Sequence, residues 1–574
     1  MKRITIIFMI LGLLVISAFV YVRRSLGTPG FHPATQSDSS AATAASASPI
    51  DLRPRLITKL QQLVKEGSDG LYNLSIHEIS PDVLASTVML KNISLTPDNS
   101  VLRDLQSKGL APADVFSIRL GELDVDGLGL KEMIDRDALD IKSIIVKAPI
   151  IEVVHIRRAK ERDDARTLYQ KVMKQLKHLA VDHISLENGA VISHKKNKTT
   201  RLNGVSVVLS HLLMDSSTQN DKDRFLFAKE AELSAKNFIQ PTNDGLYNLK
   251  IASLNISASH HLVTAHGFHL EPRFSREGFQ KKVKKLQERY DISVATLQLR
   301  DLNWWDLLND ERLYAGSADI SGAVVGIYLD RSLPAGEPNL HKFPHQLIMN
   351  VPLPIRVAQT NVRNLALDYE EFNPKSGEKS VLKGHGIHGK IVNLTNMPDA
   401  IKKNGSTHVS ASGSLLGIPV DMSLHLDLTR YRTGAFSAGL KTNGFDGSAA
   451  NNVAEASAMF RIKRGHVHGV TATVWGDNYH ASGKVLFLYN DLHITPLEKD
   501  NRHPGKLEKR NFTSFLANTL VIRNDNPKKG EQPREEDCSF TRDPNGSFFN
   551  LIWKTTFTGI LKTIGAPQRL ATEK

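Results

Sequence analysis

The chain has 574 residues, 41% of them hydrophobic and 23% charged, with a formal net charge of +13 and a pI of about 9.4. That length holds several domains with ample material for a core, and the positive balance suits anionic partners as well as a plainly solvated surface. The single cysteine, Cys538, excludes an intramolecular disulfide, and no zinc-finger spacing, basic recognition helix or RNP-type aromatic motif points to nucleic acid.

Ile4 to Val22 comes first in chain order: 19 residues without a charge, between Lys2-Arg3 and Arg23-Arg24. At 1.5 Å of rise per residue a helix of this length reaches about 28 Å, enough to cross a hydrocarbon core. A cleaved signal peptide has a shorter apolar run that ends in small residues. Here the run passes straight into Tyr21-Val22-Arg23-Arg24. Residues 1–24 therefore read as an uncleaved transmembrane anchor that includes Ile4, Phe8, Leu13 and Val22. Residues 25–50, rich in Ser, Ala, Thr and Pro, read as a flexible linker. Asp51 to Glu66 carries Leu56, Ile57, Leu60 and Leu63 at helical spacing.

An internal repeat follows. Asp69-Gly70-Leu71-Tyr72-Asn73-Leu74 recurs letter for letter as Asp244-Gly245-Leu246-Tyr247-Asn248-Leu249, an offset of 175 (244 less 69). The register continues: Ile76, Ile79, Val88 and Ile93 fall opposite Ile251, Leu254, Val263 and Phe268. Two copies result, roughly residues 69–215 and 244–395, within β regions spanning 51–230 and 231–400. Each copy alternates apolar and polar residues, the mark of strands with one buried face. The alternation changes phase between Ile76 and Ile79, between Leu120 and Leu123, and between Leu186 and Ala190. Such a step predicts a turn or bulge that reverses the exposed face. A charged helix is predicted in each copy, at Ala159–Leu179 and at Ser275–Arg289.

Residues 401–500 again alternate, as in Leu416, Ile418, Val420, Met422 and Leu424, with a short helix or loop predicted at Asn443–Ala458. Residues 501–574 read as a charged loop followed by an amphipathic helix; the loop is expected to extend over 498–546. Phe548, Phe549, Ile552, Trp553 and Phe557 form an apolar stripe with Lys554 beside it. Two readings fit that stripe: a helix lying in a membrane interface, or a terminal helix covering the open edge of a sheet.

These phrases resemble the AsmA-like family of bacterial envelope proteins, of the Bacteroidetes type. The resemblance rests on the anchor at Ile4–Val22, on LDIKSIIVKAPIIEVVH from Leu139 and LAVDHISLENGAVIS from Leu179, on Arg464 to Ile494, and on the ending from Phe512 to Gly565. It implies a single-pass inner-membrane protein with the bulk of the chain in the periplasm, acting in outer-membrane biogenesis or phospholipid handling. In the larger relatives the strands curl into a trough with an apolar lining.

The sequence carries little that points to catalysis. No nucleophile elbow, P-loop, H-E-x-x-H or dinucleotide fingerprint is present. His466 and His468 share a strand face and could in principle grip a metal, but histidines scattered over polar strand faces account for them better. Asp124 and Asp126 also share a face and suit an exposed polar surface better than a catalytic pair. The expected fold is mainly β with flanking helices: an elongated, internally repeated antiparallel sheet or groove tethered by one N-terminal transmembrane helix. The expected role is non-enzymatic and without cofactor, its partners being a membrane, phospholipid or another anionic lipid, and envelope proteins. Candidate groove residues are Ile76, Leu90, Ile118, Leu120, Ile251, Ile292 and Val294. The alternative is a structural envelope scaffold with a closed core and no lipid.

Overall fold

The computed structural model describes residues 53–82, 86–112, 114–127, 138–156, 177–195, 198–219, 221, 223–225, 227–309, 312–336, 338, 340–374, 376–499, 507–509 and 522–566. The anchor residues Ile4, Phe8, Leu13 and Val22 and the linker at 25–50 lie outside the described residues. Among the described helices none is long and apolar enough to cross a membrane.

The chain is mainly β and divides into two compact units. The first holds residues up to Ile239 together with Ser253–Leu262 and Leu308–Asp310. It opens with α1 (Arg53–Gly67), then β1 (Tyr72–Asp82), β2 (Thr87–Pro97) and α2 (Asn99–Ser107). The Asp98 carboxylate starts α2 by accepting Ser100 N–H at 2.9 Å. Strands β3 (Asp114–Asp126), β4 (Ala138–Lys147), β5 (Ile150–His155), β6 (His178–Lys195), β7 (Lys198–Met214) and β8 (Ala228–Pro241) follow. β1, β2 and β3 form an antiparallel meander, and β3 pairs with both β4 and β5. β4 and β5 run parallel to β6, which continues antiparallel through β7 to β8.

The second unit holds Gln240–Ala252, Val263–Leu307 and the chain from Glu311 onward. Wholly or mostly within it are the strands β9 (Tyr247–Ser257), β10 (Leu262–Pro272), β11 (Arg289–Arg300), β12 (Leu313–Asp330), β13 (Ile355–Asn373), β14 (Glu378–Thr395), β15 (Ser406–Leu415), β16 (Ile418–Asp427), β17 (Phe436–Thr442), β18 (Phe445–Asp446), β19 (Phe460–Gly476), β20 (His480–Lys499), β21 (Leu507–Lys509) and β22 (Glu535–Thr541). Helices α3 (Arg276–Val283), α4 (Trp304–Asn309), α5 (Pro344–Met349), α6 (Pro398–Lys403), α7 (Asn451–Ala458) and α8 (Phe548–Ile564) lie between or after them. From β10 to β17, then through β19 and β20 to β22, each strand pairs with the next. All these contacts are antiparallel except β12 with β13, which is parallel.

The repeat is structural. β1 and β2 displaced by 175 residues are β9 and β10 at both ends: Tyr72 and Asp82 become Tyr247 and Ser257, and Thr87 and Pro97 become Leu262 and Pro272. The parallel contact recurs as well, β4 with β6 in one copy and β12 with β13 in the other. A parallel neighbour needs a crossover, and in the second copy it falls between Asp330 and Ile355. The charged helix predicted at Ser275–Arg289 is shorter than expected, and Arg289 already belongs to β11. The second-copy helix is only Arg276–Val283, and its counterpart is α2, since each follows the second strand of its copy. Residues 157–176 lie outside the described residues, while His178 and Leu179 already belong to β6.

The phase step has a backbone cause. β2 holds Asn92 at φ 49°, β6 Asn188 at 51° and β7 Gly204 at 56°. In the second copy Gly267, Gly322, Asn364 and Gly386 take 62°, 63°, 53° and 57°. A left-handed residue turns the strand about its axis. The apolar set stays buried on both sides of the step in β2, at Leu90 and Ile93, and in the two strands beside Asn92, which step opposite it without a left-handed residue of their own: Ile76 and Ile79 in β1, Leu120 and Leu123 in β3. The expected reversal of the exposed face does not occur. At Gly267 a Cβ would also stand 2.8 Å from the Ala252 Cβ, so the row is tight as well as left-handed.

The expected loop at 498–546 is corrected too. Glu535–Thr541 is a strand paired with the first half of β20, and it sends Cys538 and Phe540 inward between exposed Asp537, Ser539 and Thr541. α8 then begins at Ser547, whose hydroxyl accepts Asn550 N–H at 3.1 Å, and ends at Gly565 with φ 77°.

Candidate functional site

Side-chain rows run across the second unit because lateral neighbours in a sheet point to the same face. One row passes through Leu297, Ile320, Val362, Gly389, Ala411, Met422, Leu440, Ala472 and Val485, from β11 to β20. The next passes through Leu299, Ala318, Thr360, Ile391, Val409, Leu424, Ala438 and Val474.

The two ends of these rows differ in cover. At the far end α8 lies on the sheet. Phe548, Leu551 and Ile552 pack with Leu424, Phe436, Ala438, Val474, Ala481 and Phe540, while Phe557, Leu561 and Ile564 pack with Val470, Ala472, Val485, Phe487 and Tyr489. Gly559 lets the helix approach closely, since a Cβ there would meet Val485 Cγ2 at 2.5 Å. Three buried threonines of α8 satisfy their hydroxyls on the preceding turn: Thr555 donates to Leu551 O, Thr558 to Lys554 O and Thr563 to Gly559 O, at 2.8, 2.9 and 2.9 Å. Of the stripe read from sequence, Phe548, Ile552 and Phe557 are buried, whereas Phe549 and Trp553 are 54% and 41% exposed. The helix is a cover for the sheet, with two aromatic rings left on its outer side.

At the near end the same face is only half covered. Ile292, Val294, Leu297, Leu299, Ile320, Val325, Ile327, Val362, Leu365 and Leu367 are all half-buried. From β10 to β14 this stretch is about 19 Å wide at the usual strand spacing. An apolar surface of that breadth is unusual on a monomer without an occupant.

The residues proposed from sequence divide accordingly. Ile76, Leu90, Ile118 and Leu120 are fully buried in the core of the first unit, between 3% and 8% exposed. Ile251, Ile292 and Val294 are half-buried in the second. Ile292 and Val294 lie on the half-covered face; they pair with Val325 and Ala323 on β12. Sequence reasoning missed Val325, Leu365 and Leu367 on the same face. The alternation after Gly322 and Asn364 carried the signal for them.

A polar knot bounds this face. The row beyond Ile292 is Tyr290, Ile327 and Tyr369. Tyr290 bonds the Glu288 carboxylate, Tyr369 donates to Glu371 at 2.7 Å, and Arg331 reaches both Glu371 and Asp543, the latter at 3.7 Å. Burial pushes the Glu288 carboxyl and the Tyr290 and Tyr369 hydroxyls up, and pushes the Lys554 ammonium down. A second knot fixes the crossover. Phe343, wholly buried, packs edge-on against Phe436 and Phe548, and the Arg542 guanidinium lies 4.5 Å above its ring. Arg542 donates to Gly546 O and Asn478 O, and Asn478 donates to Arg432 O.

Among the described residues no group of three or more His, Cys, Asp or Glu side chains could hold a metal. His466 and His468 are exposed with ring centroids 5.0 Å apart. Asp124 pairs with Lys147 at 3.0 Å and Asp126 with Lys142 at 3.5 Å, so both carboxylates serve as ion-pair partners on the polar face. In comparison with known proteins, no family model and no curated protein matches the chain.

Proposed function

We propose that this protein is an AsmA-like, membrane-anchored envelope protein that handles phospholipid, sheltering acyl chains on the half-covered face between β10 and β14. The observation that carries the reading is continuity. The row that α8 seals at Ala472 and Val485 runs without a polar break to Ile320 and Leu297, which are only half-buried among the described residues. An acyl chain would complete the cover that α8 supplies elsewhere, and the gain comes from removing apolar area from water at about 25 cal/mol per Å². The hydrophobic run at Ile4–Val22 would hold the body at an inner membrane, with the bulk of the chain in the periplasm. No step of bond chemistry is assigned to the protein.

The full chain, purified in detergent and extracted with organic solvent, should yield phospholipid above a detergent blank. A photo-crosslinking residue at Ile292 or Val325 should form a lipid adduct, and one at Ile118 should not. Absence of both lipid and adduct would overturn the reading.

The scaffold alternative draws on the first unit, whose apolar strand faces are closed: Leu139, Val153, Val146 and Leu209 are at most 2% exposed. Under that reading the first unit binds proteins by its polar surface and carries no lipid.

A further inference from the structure

The solvent face opposite the apolar rows carries a pair of histidines that the lipid reading does not use. His408 on β15 and His425 on β16 are directly opposed in the antiparallel register, both exposed, with ring centroids 4.5 Å apart. Their Nδ1 atoms stand 3.3 Å from each other. Two imidazole nitrogens bound to one tetrahedral zinc at about 2.0–2.1 Å stand about 3.4 Å apart, so this separation is that of two neighbouring ligands on one ion. We propose that His408 and His425 form a bidentate site for a divalent first-row transition-metal ion of the Zn²⁺, Ni²⁺ or Cu²⁺ class.

The surroundings are built for it. Ser406 Oγ lies 3.1 Å from His408 Nε2. As the acceptor of that ring N–H, it leaves Nδ1 with a free lone pair and holds the ring plane, the role outer partners have around ligating histidines. The lateral neighbours are Val392 beyond His408 and Ser437 beyond His425, so no lysine or arginine is paired with either ring to repel a cation. Asp427, two residues along β16, is occupied: it accepts Thr429 N–H at 2.9 Å and Arg430 N–H at 3.0 Å, and pairs with the Arg430 guanidinium. Two rings then supply the protein ligands and water fills the remaining positions, which selects metals that favour imidazole nitrogen, copper most strongly.

The test uses the full chain in detergent with any affinity tag removed, titrated with Cu²⁺ and Zn²⁺ by calorimetry, with electron paramagnetic resonance on the copper form. One metal equivalent is expected, bearing coupling from two nitrogens. His408→Ala and His425→Ala should each remove that equivalent, Ser406→Ala should weaken it about tenfold, and His466→Ala should leave it unchanged. The histidines are exposed and Ser406 is half-buried, and unchanged thermal unfolding of the variants without metal checks that they fold. Equal binding by His408→Ala, His425→Ala and the parent chain would overturn the site. So would no binding by the parent chain, which would leave the pair a plain imidazole–imidazole hydrogen bond.

Discussion

Tyr72 and Phe116 are tied across a strand: the Tyr72 hydroxyl accepts the Phe116 backbone N–H at 3.2 Å, two residues beyond Leu95–Ile118, the last paired position of β2 and β3. The same bond recurs in the second copy, where the Tyr247 hydroxyl accepts the Tyr290 N–H, also at 3.2 Å. Both tyrosines follow the repeated Asp-Gly turn, in which Gly70 and Gly245 take φ 81° and 70°. The repeated six letters thus encode a turn and a tie. Burial raises both hydroxyl pKa values, as expected of rings whose oxygen is spent inside the sheet end.

Replacing either tyrosine leaves that N–H without its acceptor. Tyr72→Phe and Tyr247→Phe are each expected to lower stability by about 1 kcal/mol, read as a shift of the urea midpoint at unchanged slope. Because the ties lie in separate units, the double variant should show the sum. A silent Tyr247→Phe would remove the tie from the account of the repeat.

Equivalent positions in the two copies should respond in opposite ways to a polar side chain. Ile118 is 3% exposed, and Ile118→Asn is expected to cost about 3 kcal/mol or more. Ile292, its counterpart on β11, is half-buried, and Ile292→Asn should cost about 1 kcal/mol while lowering phospholipid recovery. Denaturation and lipid extraction on the same preparations separate the two effects.

Gly559 is the point where α8 touches the sheet. A Cβ there would meet Val485 and, at 3.3 Å, Cys538. Gly559→Leu is expected to destabilise by about 2 kcal/mol through overpacking, although on a solvated helix face the change would help propensity. Cys538 reports the event, because burial pushes its thiol up to about 11 and it should resist maleimide in the native chain. Faster labelling in Gly559→Leu at neutral pH would show the helix lifted; unchanged labelling and midpoint would refute the contact.

His345 in α5 is fully buried, and neither ring nitrogen has a hydrogen-bond partner. Burial lowers its pKa from the ordinary 6.5 to about 4, against a weaker opposing pull from Asp427. The unfolded chain therefore binds the proton first as pH falls. This contribution costs nothing above pH 6.5, grows between 6.5 and 4, and levels off below 4. Its full size is about 3 kcal/mol at 1.36 kcal/mol per unit. His345→Leu should flatten the stability profile between pH 6.5 and 4, and a slope equal to that of the parent chain would clear His345 of the role.

The sequence was informative where a single strand or helix carries its own pattern. The 175-residue offset, the alternation in β15 and β16, and the stripe of α8 are local signals, and each names an element. The parallel contacts were invisible because a strand does not record which way its neighbour runs; only the chain between them does. β22 was missed because Glu535, Glu536 and Asp537 make its start look like a loop, and only Cys538 and Phe540 point inward. The sequence also could not separate buried Ile118 from half-buried Ile292. They occupy matching places in matching strands, and what distinguishes them is whether another segment lies on top.

The lid of the sheet is made later than the strands it covers. α8 begins at Phe548, well after β20 ends at Lys499. During synthesis Leu424, Ala438, Val474 and Val485 therefore wait, paired in their ladders but bare to water, until residue 564 has emerged. A nascent chain stalled in that interval presents a wide greasy sheet to its neighbours, so the quality of this protein's folding depends on how quickly α8 arrives.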